Sequence, residues 1–227
     1  MELVSHSPFL VLYDADLSEA VESGISGAFW AAGQTCIGVQ RLFVQEGVFD
    51  AFLEAFVERT LRYMVGPILD EDCDMGPLIT EVEASRVEAW VDDAVASGAK
   101  VECGHRRDGA VYWPTVLTGV PPGVRVDCDE IFGPVVNIYP IQNLEEGIRR
   151  ANGVEFGLQA AVFTTNLASA FQAVEGLEAG AVIVNDSTDY RMDAMPFGGI
   201  KQSGLGREGI RFALQEMTEP KTVCFNL

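Results

Sequence analysis

"SPFLVLYDADLSEAVESGISGAFWAAG", residues 7–33, is the stretch that decides the fold. Ser7 to Tyr13 is a short continuous apolar run closed by aspartates, and it reads as a buried strand. Asp16 then stands where a helix N-cap belongs, with Glu19 three residues on, and Val21, Ile25, Ala28, Phe29 and Ala32 recur on one helical face. Gly33 ends that helix. A strand fed straight into an amphipathic helix is the opening of a β-α-β unit.

The alternation continues along the chain. "VQRLFVQ", 39–45, reads as a strand, and 48–66 as a helix that faces inward with Phe49, Phe52, Leu53, Phe56, Val57 and Leu61 and stops at Gly66-Pro67. A third helix over 81–99 turns Val87, Trp90, Val91, Ala94 and Val95 inward and feeds a strand near Val101. Further strands are expected over 112–117, 135–141, 159–164 and 181–185, with helices over 144–152 and 167–177 and one ending near Met217. The pattern predicts an α/β fold: a mainly parallel sheet with helices on both faces, and sites in loops at the carboxyl ends of its strands. With no repeat or linker to divide it, residues 1–217 read as one domain, and the strand-like tail in 218–227 as an edge or a partner's strand.

Composition narrows the partners. Apolar residues at 48% and charged residues at 22% are ordinary for a soluble globular chain, and Phe9–Tyr13 is too short to span a bilayer. A net charge of −19 repels phosphate backbones and anionic membrane surfaces, so neither nucleic acid nor membrane is expected as a partner. Cys36, Cys73, Cys103, Cys128 and Cys224 form no CxxC, and only His6 and His105 accompany them. A structural metal site and a disulfide framework are therefore not expected, and a reducing cytoplasm is.

Two stretches stand out for chemistry. In "AAGQTCIGVQ", 31–40, Cys36 follows a break at a helix end. A lone cysteine is more often an inert buried residue, yet a thiol beside backbone N–H groups at such a break is suited to nucleophilic attack. In "DCDEIFGPVV", 127–136, the bland reading is a solvated acidic turn at Gly133-Pro134. The sharper reading puts Glu130 at a strand edge, its carboxylate accepting from two ribose hydroxyls, with Phe132 as a flat apolar wall. The glycines at 198, 199, 204, 206 and 209 do not form a GxGxxG dinucleotide fingerprint.

Together "DADLSEAV", "GQTC", "EIFGPVV", "GLQAAVFT" and "AMPFGGIKQSGLGREG" resemble, in order and spacing, the later half of the aldehyde dehydrogenase family over essentially all 227 residues. The resemblance implies that Cys36 is the nucleophile that adds to an aldehyde, that Glu2 is the base that activates water, that Glu130 holds the nicotinamide ribose and that Phe132 packs near the ring. It implies NAD or NADP as cofactor, a small aldehyde as substrate and a homo-oligomer formed through the tail, with Asn185 and the 196–209 loop shaping the site. Family members usually carry Gly-Gly-Lys after the Glu-Leu pair, whereas this chain has Val4-Ser5-His6. The family's dinucleotide-binding half precedes that pair and is expected to be absent here, so the isolated chain is expected not to sustain cofactor-dependent turnover. The other readings are a non-catalytic remnant or assembly module, and a relative that passes the acyl group to coenzyme A without needing Glu2. "NDSTDYRMDAMPFGG" is similar to branches acting on small polar or anionic aldehydes, with Arg191 either facing an anionic group or solvated.

Overall fold

The computed structural model describes residues 4–67 and 69–227. Strands β1 (Ser7–Val11), β2 (Val39–Gln45), β3 (Lys100–Cys103), β4 (Arg107–Asp108), β5 (Val111–Tyr112), β6 (Thr115–Thr118), β7 (Val135–Ile141), β8 (Phe156–Gly157), β9 (Gln159–Phe163), β10 (Ala181–Val184) and β11 (Ile200–Lys201) are interleaved with helices. These are α1 (Leu17–Phe29), α2 (Glu46–Leu61), α3 (Glu81–Ala96), α4 (Arg125–Cys128), α5 (Leu144–Ala151), α6 (Leu167–Gly176) and α7 (Ile210–Glu216). The main sheet runs β10-β9-β1-β2-β7-β6-β3, parallel throughout except for β3, which pairs antiparallel with β6 at one edge.

Period-two alternation divides the central strands between two cores. Phe9 and Val11 of β1, Leu42 and Val44 of β2 and Val136 and Ile138 of β7 pack with α1 and α2 through Ala20, Ile25, Phe29, Phe52 and Phe56. On the other face Leu10, Phe43, Tyr139, Ile141 and Val162 meet Val87, Val91 and Ala94 of α3, Leu144 and Ala151 of α5 and Ala173 of α6. Helices thus cover both faces, as the sequence predicts.

Capping sets several boundaries. The Asp16 side chain accepts from the Ser18 and Glu19 N–H groups, Asn143 caps α5 through Glu146 N–H, and Asn166 caps α6. α2 ends at Leu61 instead of Gly66, because Met64 N–H and Asp74 close the next loop, and Leu61 is exposed. The expected strand over 112–117 is broken: β5 pairs with β4 in a small hairpin, and Pro114, with no N–H to give, separates it from β6. Residues 218–227 join no strand pairing of this chain and are exposed. Among the described residues no helix is long and apolar enough to cross a membrane.

Candidate active site

α1 ends at Phe29, and Trp30–Gly33 follows as a tight turn in which Ala31 (φ 52°), Ala32 (φ 56°) and Gly33 (φ 70°) are left-handed. Small side chains keep the strain of that run low, and Gly33 is required outright: a Cβ there would lie 2.1 Å from the Gly133 carbonyl oxygen. The next turn centres on Cys36 and Ile37, closed by Gly38 N–H donating to Thr35 O at 3.1 Å. The Ile37 carbonyl accepts the buried Thr188 hydroxyl, and Gln34 bridges Ala31 O and Ile79 N–H. Cys36 itself is half-buried and packs against Ile37, Leu158 and Phe197. It is therefore neither a fully buried core residue nor a solvent-exposed one.

The Glu130 stretch is a loop and not a strand edge, preceded by the short helical turn α4 in place of a solvated acidic turn. Its middle residue, Ile131, is buried; its N–H donates to Gln40 Oε1 (3.0 Å) and its carbonyl accepts from Arg86 (2.8 Å). On either side, Glu130 is half-buried with Oε1 accepting Ser5 N–H at 3.1 Å, and Phe132 is 39% exposed in a left-handed conformation (φ 47°) that a bulky residue rarely adopts. Strain of this kind at a partly exposed aromatic is a common mark of a site.

The two loops touch through Gly33 and Gly133, three residues before Cys36 and one after Phe132. Both precede strands: Cys36 leads into β2 and Glu130-Phe132 into β7, so they sit at the amino ends, contrary to the carboxyl-end expectation. The reason is local. The carboxyl ends of β1, β2 and β7 run within a few residues into α1, α2 and α5, leaving only short connections there, while the helix-to-strand returns are the longer, irregular segments. Glu2 lies outside the described residues.

Phe197, inside the 196–209 loop expected to shape the site, packs in the cluster that holds Cys36. It is buried, exchanges backbone hydrogen bonds with Glu208, and carries the Arg191 guanidinium 4.1 Å above its ring, while Arg191 also pairs with Glu208 at 3.4 Å. Asn185, expected to shape the site, ties the end of β10 to the residue after β9: its amide accepts Thr164 N–H (2.9 Å) and donates to Thr164 O (3.0 Å). His6 stands out in the sequence only as part of the departure from Gly-Gly-Lys, with no role attached; it is buried, with Nδ1 facing Gln40 Oε1 at 2.8 Å and Nε2 facing Asp127 O at 2.9 Å. Burial first, and then the Arg41 charge, hold it at about 3, so the ring is neutral at ordinary pH. No sequence signal gives such a residue its role, because its partners come from β2 and α4. Among the described residues no group of three His, Cys, Asp or Glu is placed to hold a metal.

Residues 1–223 match the model of the aldehyde dehydrogenase family. Aspartate-semialdehyde dehydrogenase 1 of Pseudomonas canavaninivorans is 46% identical over 227 residues, covering 100% of this chain and 48% of that protein. Glyceraldehyde-3-phosphate dehydrogenase GapN from Methanocaldococcus jannaschii, solved with NADP, superposes with a TM-score of 0.92 at 44% identity, over 95% of this chain and 47% of that one. Aldehyde dehydrogenase 21 from Physcomitrella patens, solved with its reaction product succinate, gives 0.94 at 40% identity, over 96% and 46%. The chain spans about half the length of the curated relatives it matches. With the match running through both the Cys36 turn and the Glu130 loop, this chain belongs to the aldehyde dehydrogenase family.

Proposed function

We propose that this chain carries the catalytic half of an enzyme that oxidises an aldehyde to a carboxylic acid, with Cys36 as nucleophile and Glu2 as base. The observation that carries the reading is the close approach of Gly33 to Gly133, which joins a half-buried thiol to a loop bearing Glu130 and Phe132. The Cys36 thiolate adds to the carbonyl carbon, forming a C–S bond, and its own backbone N–H stabilises the oxyanion of the thiohemiacetal. Loss of hydride leaves a thioester on Cys36. Glu2 then takes a proton from water, whose oxygen attacks the thioester and releases the acid and the thiol.

NAD or NADP, when bound, supplies the hydride acceptor. The residues present fit its nicotinamide riboside: Glu130 brings a half-buried carboxylate, an acceptor for ribose hydroxyls, beside the partly exposed Phe132 ring. The substrate class we assign is a small anionic aldehyde. Aspartate semialdehyde, glyceraldehyde 3-phosphate and succinate, the compounds named for the relatives above, all carry negative groups, and Arg191 lies over Phe197, which packs in the Cys36 cluster. In a chain of net charge −19 a cation stacked on a residue of that cluster, paired as it is with Glu208, is a point of attraction for such a molecule. We further assign the protein to the cytoplasm, as a homo-oligomer that uses residues 218–227.

Alkylation tests the core of this reading. Burial pushes the Cys103 thiol up to about 11, and burial with neighbouring aspartates raises Cys73 and Cys128, so these are poor nucleophiles at neutral pH. In a Cys224→Ser background, iodoacetamide is expected to label Cys36 at least about tenfold faster than the remaining cysteines, with an anionic aldehyde protecting it. Equal rates at all four cysteines would remove Cys36 from the chemistry.

A further inference from the structure

His6 touches one end of the segment that carries Glu130 directly and reaches the other through Gln40. Nε2 faces Asp127 O, while Nδ1 faces Gln40 Oε1, the same oxygen that accepts the Ile131 N–H; one residue earlier, Ser5 N–H donates to Glu130. Both ring partners are therefore acceptors. A neutral imidazole has a single N–H, and only the doubly protonated ring donates to both. Gln40 cannot resolve this by turning its amide, because its nitrogen would then face the Ile131 N–H; as placed, Gln40 Nε2 is buried with no partner.

We propose that His6 is a positioning residue for Glu130: its Nε2–H holds Asp127, and its Nδ1, through the Gln40 amide, decides whether the Ile131 N–H keeps its acceptor. The charged groups around it bear on this from each side. The Arg41 guanidinium on β2 donates to the His6 carbonyl (2.8 and 3.2 Å) and to the carbonyls of Ala151 and Arg150, and it opposes a second proton on the ring. The Asp127 carboxylate is directed away, to Tyr139 OH (2.7 Å) on β7 and Gly123 N–H, with the Cys128 thiol next to it on α4; Arg150 of α5 stacks on Tyr139. Among the described residues Asp129 and Glu130 are the other acids of the 127–131 segment. At neutral pH the arrangement is thus one proton short of satisfying both acceptors, and the Gln40 side is the weaker, since Gln40 Oε1 keeps Ile131 as a donor while Asp127 O has only the ring among the hydrogen bonds described.

A lysine is the discriminating replacement. Starting near 10.4, an ammonium lowered as far as His6 would titrate at about 7, so the His6→Lys exchange comparison is made at about pH 5.5, where the lysine is protonated, with three donors for the two acceptors, and the His6 ring is still neutral. The test is NMR on the full 227-residue chain, reading the His6 ring nitrogens and amide exchange at Ile131 and Ser5 in wild type, His6→Lys and His6→Phe. At pH 7 the wild-type ring is expected to show one protonated nitrogen, Nε2. Ile131 exchange is expected to slow about fivefold in His6→Lys and to quicken about fivefold in His6→Phe, the change set by one hydrogen bond. Phe43 and Leu42 amides in β2 report global stability, and changes at Ile131 are read relative to them. A proton on Nδ1 at pH 7, or Ile131 exchange that tracks the β2 amides in both variants, would overturn the proposal. If His6→Phe does not fold, the wild-type ring spectrum and the His6→Lys comparison decide. The consequence for cofactor holding rests on the aldehyde-oxidation reading, which is tested separately at Cys36 and needs neither variant.

Discussion

The Cys36 turn and the Glu130 loop lie against one another yet are held in different ways. The first is fixed by backbone shape: three successive left-handed residues, an inner turn, and a glycine pressed on a carbonyl. The second is fixed by long polar side chains arriving from β2, α3 and the segment before β1, namely Gln40, Arg86 and His6. On the proposed function, a thiol that must meet a carbonyl at bonding distance is served by a rigid turn, and a loop that is to hold a ribose by contacts that adjust. The difference predicts that the two regions fail separately except at the point where they touch.

That point is the place to break the comparison hardest. In Gly33→Ala the added Cβ would sit 2.1 Å from Gly133 O at φ 70°, and backbone on both sides leaves little room to yield. A loss of about 3–5 kcal/mol is expected, a fall of roughly 10 °C or more in Tm for a chain of this size, together with slower alkylation of Cys36. A loss under about 1 kcal/mol would mean that the loops are not joined there.

Acid sharpens the other side. His6 is held at about 3 against an ordinary value of 6.5, so between those values the unfolded chain binds a proton that the folded one refuses. Its contribution is complete above pH 6.5 and is lost as pH falls, by about 2 kcal/mol between pH 7 and pH 5. Urea titrations at both pH values, wild type against His6→Phe, should show that difference; identical pH dependence in the two proteins would show that His6 is not held neutral.

The contrast also explains what the sequence made legible. Strands β1, β2 and β7 fall close to where alternation and apolar runs place them, because burial on both faces leaves a continuous signal, and Asp16 and Gly33 are local devices with local signatures. Cys36 is visible for the same reason, since its setting is built from its own neighbours. The Glu130 loop is anchored by residues 125 and 91 positions away in sequence, Ser5 and Gln40, and no periodicity records such partners. Leu61 and Val95, assigned inward by spacing, are exposed; they sit in the last turns of α2 and α3. The site's place at the amino ends of the strands depends on which connections are long, which is a property of the whole sheet.

Arg86 offers a smaller break confined to the Glu130 loop. Its guanidinium donates to Ile131 O at 2.8 Å, pairs with Glu83 and lies 5.0 Å from the Trp90 ring, partly screened from solvent. Arg86→Ala is expected to cost about 1–2 kcal/mol, and to quicken exchange along 130–132 while leaving the Cys36 alkylation rate unchanged. A matching change at Cys36 would mean that the two loops move as one body.

Gln34→Ala is the reciprocal and the mildest. The side chain sits two residues before Cys36, is half-buried, donates to Ala31 O at 3.0 Å and accepts Ile79 N–H at 2.9 Å, so it ties the thiol turn to the segment that enters α3. Its hydrogen bonds compete with water, and the turn retains Gly38 N–H to Thr35 O and the Thr188 contact without it. The expected loss is about 0.5–1 kcal/mol, with Ile79 exchange faster and Ile131 exchange unchanged. If backbone shape alone fixes the turn, alkylation of Cys36 keeps its rate in Gln34→Ala; a drop of tenfold or more would show that side-chain anchoring matters on this side as well, and the distinction between the two loops would fall.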